Sequence, residues 1–201
     1  MFSIVNPSIW DILDQRNTCS LVQFTNYTYR VERLALKECS LQYFLLGDVP
    51  EKLPVTYDHL KYLEVHIEWN SKEILATLCI LRSAPNLKEL KIMYVLNFLE
   101  MRCVLSREEA AFWGAKIQFD CMLNRLQAVE IIGPALLMDL QFIGYILSHA
   151  PVLETMEVYT HEYLTDKGVL RIMKELMRFR RASRLAEIRY LGHYKEMVES
   201  W

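Results

Sequence analysis

The sequence predicts an α/β fold in which short parallel strands alternate with helices as a repeated unit. Three observations lead there. A leucine-x-x-leucine-x-leucine pattern, with apolar substitutes, occurs at Leu60-x-x-Leu63-x-Val65, Leu87-x-x-Leu90-x-Ile92, Leu126-x-x-Val129-x-Ile131 and Leu153-x-x-Met156-x-Val158. The first and third copies are 66 residues apart, as are the second and fourth, and across that offset seven residues are identical: Leu60/Leu126, Glu64/Glu130, Ile80/Ile146, Leu81/Leu147, Ala84/Ala150, Pro85/Pro151 and Leu87/Leu153. Between the two members of each pair lies an apolar run at helical spacing. Self-similarity at a fixed period marks a repeat architecture, and this pattern is the strand segment of a leucine-rich repeat. The expected fold is a leucine-rich-repeat-like solenoid with a parallel sheet on one face and helices on the other.

The elements follow in order. Val31-x-x-Leu34-x-Leu36 is a weaker fifth copy, 29 residues before Leu60, and Leu41 to Leu46 is a further candidate strand. Leu60 to Ile67 reads as strand. Lys72 to Ser83 reads as a helix through Ile74, Leu75, Leu78 and Leu81, capped by Asn70 or Ser71. Pro85 stops that helix and pushes Ala84 out of the helical region, so that a strand begins at Leu87. The second pair repeats the logic: Gly133-Pro134 breaks the strand, Met138 to His149 forms a helix, and Pro151 forces the exit toward Leu153. One strand-helix-strand unit cannot bury its apolar side alone, so neighbours stack. The pairs are internally spaced by 27 residues, whereas 39 separate Leu87 from Leu126. The excess, with Arg107-Glu108-Glu109, Phe112-Trp113 and Phe119, reads as an insertion. Thr165 to Arg184 reads as an amphipathic helix with Val169, Met173, Leu176 and Met177 on its buried side, and a short strand is expected from Ala186 to Leu191.

Composition narrows the function. The 201 residues hold 23 basic and 25 acidic side chains, a net charge of −2, which provides no global attraction to nucleic acid or acidic membranes. No apolar stretch approaches the roughly 20 residues of a membrane span. Asp11 and Asp14 precede Arg16, so no secretory signal is expected. The five cysteines (Cys19, Cys39, Cys79, Cys103, Cys121) form no C-x-x-C pair, and Cys79 reads as a small core residue. A reduced intracellular protein, cytoplasmic or nuclear, is the expectation. The sequon Asn26-Tyr27-Thr28 has no expected use.

Enzymatic signatures are missing: no G-x-S-x-G, no G-x-x-x-x-G-K, no G-x-G-x-x-G and no H-E-x-x-H. His59, His66, His149, His161 and His193 lack metal-ligand spacing. His149 closes a helix, where a cation favours the helix dipole, so a structural role is expected. No catalytic residue, cofactor or metal is therefore expected.

The run Leu53-Pro54-Val55-Thr56-Tyr57-Asp58-His59-Leu60-Lys61-Tyr62-Leu63-Glu64 resembles the plant F-box proteins with leucine-rich repeats and a C-terminal FBD domain. So do Glu73 to Ala76 and Leu81 to Leu90. Lys174-Glu175-Leu176, followed by Arg178-Phe179-Arg180-Arg181-Ala182-Ser183 and Ala186-Glu187-Ile188, looks like the FBD signature, and His149 to Glu154 fits that domain's earlier part. The similarity spans roughly residues 30 to 192. It implies an FBD-type α/β cap at the C-terminal end of the solenoid. The resulting division is an irregular segment 1–30, leucine-rich-repeat-like units 31–94, an insertion loop 95–124, an FBD-like domain 125–194 and a tail 195–201. In such proteins the F-box docks on the Skp adaptor of a ubiquitin ligase and the repeats are presumed to select the target. Residues 1–30 hold no F-box-like helix set with its leading Leu-Pro, so the chain is expected to match the C-terminal part of the family, and two versions remain open: another segment or partner supplies the ligase link, or the chain is a truncated form that binds without delivering. Skp-type adaptor is then a partner only if an F-box is supplied elsewhere.

The strand pattern also places the binding residues. Its leucine-type positions point inward, so the residues between them face out: Tyr62, Glu64 and His66; Glu89, Lys91 and Met93; Ala128, Glu130 and Ile132; Thr155, Glu157 and Tyr159. Glu64, Lys91, Glu130 and Glu157 would form a mostly acidic stripe edged by Tyr62, His66 and Tyr159, beside Glu89. Aromatics next to charges suit a protein-binding surface, although a merely solvated face would look the same. The alternative is a structural or nucleic-acid-associated module using the basic C-terminal helix (Lys167, Arg171, Lys174, Arg178, Arg180, Arg181, Arg184). Near-neutral net charge and the lack of interleaved aromatics weigh against nucleic acid.

Overall fold

The computed structural model describes residues 24–25, 28–37, 41, 52–67, 71–94, 123–133, 137–160 and 164–194. Within them run β1 (Arg33–Leu36), β2 (Tyr62–Ile67), α1 (Ser71–Arg82), β3 (Glu89–Tyr94), β4 (Ala128–Ile132), α2 (Leu137–His149), β5 (Thr155–Thr160), α3 (Asp166–Arg178) and β6 (Glu187–His193). The strands form one parallel sheet in the order β1-β2-β3-β4-β5-β6. The α/β class expected from the sequence is thus observed. The insertion, apart from residues 123 and 124, the tail and the segment before Phe24 lie outside the described residues. So does the candidate strand at 41–46 beyond Leu41, which is helical and buried.

One local device recurs before five strands. The amide of the first apolar residue of each pattern donates to the carbonyl three residues earlier: Val31 to Thr28, Leu60 to Tyr57, Leu87 to Ala84, Leu126 to Leu123 and Leu153 to Ala150, at 3.0–3.3 Å. Pro85 and Pro151 take the second position of two of these turns, where a fixed φ and a missing amide proton suit the geometry. The prolines therefore do more than end a helix; they shape the turn into the next strand. Just before each of β1 to β4, one carbonyl then serves two amides of the next repeat: Glu32 O accepts from Lys61 and Tyr62, Lys61 O from Lys88 and Glu89, Lys88 O from Gln127 and Ala128, and Gln127 O from Glu154 and Thr155, at 2.8–3.1 Å.

These bonds align the strands so that the patterned residues stack in columns. Leu34, Leu63, Leu90, Val129, Met156 and Ile188 are successive partners, as are Leu36, Val65, Ile92, Ile131, Val158 and Tyr190. Both columns face the helices, and from β1 to β5 every member is buried. Leu78, Leu81, Phe142, Ile143 and Leu147 from α1 and α2 join the same core. Truncating one of these leucines to alanine would cost about 2–5 kcal/mol. Cys79 is buried there, which pushes its thiol up to about 11. Thr28 of the sequon is also buried, its hydroxyl 2.7 Å from that of Tyr57.

Two expectations are corrected on the third helix. α3 ends at Arg178 rather than Arg184, because Phe179 turns to an extended conformation (φ −68°, ψ 137°). Thr165 caps its start, accepting from the Gly168 amide. Met177 is not on the buried side: it is 75% exposed, whereas Leu176 is buried as expected and Ile172 is buried beside it. Met177 sits at the margin of the apolar stripe, and among the described residues no further helix covers that flank. The sixth strand also departs from the leucine turn. Ser183 replaces it, donating to Leu153 O at 2.6 Å and accepting from the Leu185 amide. At its far end β6 carries a bulge against β5, with Gly192 at φ 85°.

The extended chain after α3 sends the Phe179 ring over Gly144 of α2, where a Cβ would meet ring carbons at 2.8 Å. Alanine ordinarily gains up to about 1 kcal/mol over glycine inside a helix, but overpacking here costs about 1–3 kcal/mol. Gly144→Ala should therefore lower the unfolding free energy in urea, and the same change in a Phe179→Ala background should raise it. An equal effect in both backgrounds would show that the ring does not set the helix spacing.

Candidate functional site

The same register that buries two columns brings the outward residues into rows. One row is Arg33, Tyr62, Glu89, Ala128, Thr155 and Glu187; the next is Ala35, Glu64, Lys91, Glu130, Glu157 and Arg189. A third holds His66, Met93, Ile132 and Tyr159. All eight residues picked from the sequence for this face share it. Parallel sheets are normally covered on both faces, whereas most of these side chains are only half-buried.

The middle row is not simply acidic. Lys91 Nζ is 3.3 Å from Glu130, and Arg189 lies 3.9 Å from Glu157 and 2.6 Å from Glu187. At the other end Lys37, just past β1, stands 3.6 Å from Glu64. Sequence reading missed both flanking cations. Lys37 falls outside its strand, and Arg189 belongs to the one strand that lacks the leucine turn, so neither had an obvious place in the row. Each neutralises a glutamate next to an edge of the sheet, because cross-strand opposite charges stabilise such faces.

Glu64 is the most engaged member. His66 Nε2 donates to it at 3.4 Å and the Tyr62 hydroxyl at 3.2 Å. The hydrogen bond from His66, followed by the charges of Lys37 and Lys91, outweighs burial and holds the Glu64 carboxyl at about 2. Tyr62 responds in the opposite sense: burial and then the Glu64 charge push its phenol above the usual range. Its ring face is stacked under the Arg33 guanidinium at 3.8 Å. Burial, then Glu157, raises Tyr159 as well, and its ring meets Tyr194 edge-on at 5.9 Å.

At the centre the outer surface dips. Tyr62, Glu89, Lys91, Ala128, Glu130, Thr155 and Glu157 surround an open depression of about 240 Å³. It exists because Ala128 and Thr155 are short where their row neighbours are long. Its side chains include three glutamates and one lysine, so it is locally anionic. Ile132 differs from its expected exposure: it shares the outer row yet is fully buried, and it stands apart from the main core. Among the described residues no group of His, Cys, Asp and Glu is arranged to hold a metal ion, and no helix is long and apolar enough to cross a membrane. His149 Nδ1 lies 2.8 Å from the Tyr145 carbonyl and its ring stacks on Tyr145, the structural placement expected for it. His161 lies outside the described residues.

Comparison with known proteins gives one informative relative. An F-box/FBD/LRR-repeat protein of Arabidopsis thaliana is 31% identical over 182 residues, which are 89% of this chain and 42% of that protein. The chain belongs with the plant F-box/FBD/LRR-repeat proteins. It spans 42% of the length of that relative, less than half. The sequence matches no family model, and no solved structure matches it. Homology to a leucine-rich-repeat protein agrees with the repeated turn before five of the six strands and with the columns of leucine-type residues.

The Glu64 carboxyl provides a pH signature. Its value in the folded chain lies below the ordinary 4.5, so its contribution is complete above that ordinary value and disappears as pH falls through about 2. After allowance for solvent screening that contribution is about 1 kcal/mol. Glu64→Gln should therefore lower stability at neutral pH, with the gap to wild type closing between about pH 5 and 2. Urea unfolding of both proteins across that range tests it; a gap independent of pH would assign the loss to packing.

Proposed function

We propose that this chain is a non-enzymatic protein-recognition module, a leucine-rich-repeat-like solenoid with an FBD-type cap at residues 125–194. On this reading it corresponds to the target-selecting part of an F-box ubiquitin-ligase receptor. The observation that carries the proposal is the open face of a parallel sheet. Its first two rows are mainly polar, Tyr62 and Tyr159 add aromatic rings, and its centre holds a depression formed by Tyr62, Glu89, Lys91, Glu130 and Glu157. A target segment lying across the strands would meet charged side chains in two rows and the Tyr62 and Tyr159 rings near opposite ends. Interfaces draw their energy from such aromatic anchors, while charge pairs set register and partner choice.

Recognition alone does not lead to ubiquitination. Adaptor docking requires an F-box, and the proposal assigns that task to sequence outside residues 30–192 or to a second chain. Recruitment would then act through effective concentration, holding a ubiquitin acceptor near the ligase. The cytoplasm and the nucleus both suit this role.

The test is affinity purification of the chain from plant-cell extract at moderate salt, with Skp adaptor and other partners quantified by mass spectrometry. Beside it runs the variant Glu89→Lys with Glu157→Lys, whose side chains lie at the surface. Partners bound through the sheet face should fall by about tenfold or more with the variant. Recovery of the same partners at the same level would remove the sheet face from the function. Stoichiometric adaptor supports the ligase link, and a reproducible target without adaptor eliminates the degradation half of the reading.

A further inference from the structure

The helix side of the fold carries a second charged surface that the sheet-face reading does not use. Residues 165–184 contain seven cations (Lys167, Arg171, Lys174, Arg178, Arg180, Arg181, Arg184) against Asp166 and Glu175, a local charge of +5. The whole chain carries −2, so the remaining residues carry −7. All seven cations are exposed. Arg178 pairs with Glu175 at 2.9 Å, and Arg181 donates to the Ala186 carbonyl. Lys167, Arg171, Lys174, Arg180 and Arg184 form no ion pair among the described residues. A charge asymmetry of this size within one domain points to an acidic partner.

Helical geometry arranges the group. With Ile172 and Leu176 buried, residues 167, 171, 174 and 178 fall on the opposite side of α3, with 170 and 177 along one border between the two. Lys167, Arg171, Lys174 and Arg178 make a continuous cationic stripe at alternating spacings of four, three and four residues. Leu170 and Met177, seven residues and two turns apart, flank it on one side and are 55% and 75% exposed. Leu185, just beyond, is 82% exposed.

We propose that this outer face of α3 is a docking surface for an acidic protein segment that also carries apolar side chains. The two features select the partner class together. Phosphate recognition would use the cations but has no use for Leu170 and Met177, and among the described residues the face has no aromatic ring on which a base could stack. Insertion into a membrane needs the wide apolar face of an amphipathic helix, and α3 turns that face to the core. An amphipathic acidic helix presents carboxylates and apolar anchors at the same three- and four-residue spacings. It can pair with the cationic stripe while its anchors cover Leu170 and Met177.

The experiment uses the full chain and a fluorescein-labelled synthetic helical peptide with glutamates along one face and leucines at i and i+7. The same peptide with serine for leucine, a 20-base-pair DNA duplex and phosphatidylserine vesicles are the comparison ligands. At about 0.15 M salt the leucine peptide should bind most tightly. Arg171→Glu with Lys174→Glu should weaken it by tenfold or more, and Leu170→Ser with Met177→Ser by about tenfold. The sheet-face variant Glu89→Lys with Glu157→Lys should leave it unchanged, so that this surface and the sheet face stand or fall separately. Tighter binding of duplex or vesicles, or an affinity indifferent to the Leu170 and Met177 changes, overturns the proposal. Thermal unfolding confirms that each variant is folded; Arg171→Gln with Lys174→Gln, which only removes charge, replaces the reversal variant if that one melts early.

Discussion

The structure depends on how each strand is started. A turn closed by the first leucine-type residue delivers the chain to the sheet, and the carbonyl one residue further on is shared by two amides of the following repeat. Because that carbonyl always belongs to the same position of the pattern, every strand from β1 to β5 begins in step with its neighbour. A slip of one residue would exchange the buried and outward sets on the whole strand. Burial of the leucine columns, the rows on the outer face and the central depression all inherit their alignment from this contact.

The two faces of the sheet then answer to different physics. On the helix side the columns are apolar and buried, and their energy is that of removing hydrocarbon from water. On the outer side of the six parallel strands, Lys37 and Arg189 flank a row that otherwise sets three glutamates, Glu64, Glu130 and Glu157, against Lys91 alone. Compensation at the edges leaves the residual negative charge in the middle, where the short side chains Ala128 and Thr155 also make room. Among the described residues no second layer of helices lies over this polar face.

Much of this was legible in the sequence because alternation along a strand and repetition between strands report the same facts independently. Tyr62, Glu64, Lys91, Glu130 and Glu157 could be placed on one face from the spacing of the leucines alone. Features without a periodic signal were not legible. Arg189 lies in a strand that a serine, not a leucine turn, ties to its neighbour. Met177 sits at the margin of a helical stripe, where the angle of the helix against its neighbours decides exposure. The burial of Ile132 on an otherwise open face is a tertiary effect that no local pattern encodes. The likeness of residues 174–188 to an FBD signature is a matter of residue identity in order, which periodicity does not report.

The order of strands in the sheet is the order of strands in the chain. Each strand finds its partner in the piece of polypeptide made just before it, and none has to wait for a distant segment to close the sheet. Such an array can zip up as it leaves the ribosome, and it can also unravel from an end while the interior holds, since each repeat answers mainly to its neighbours. Damage to β6 would therefore stay largely local, whereas damage to β3, with a neighbour on both sides, would divide the array in two.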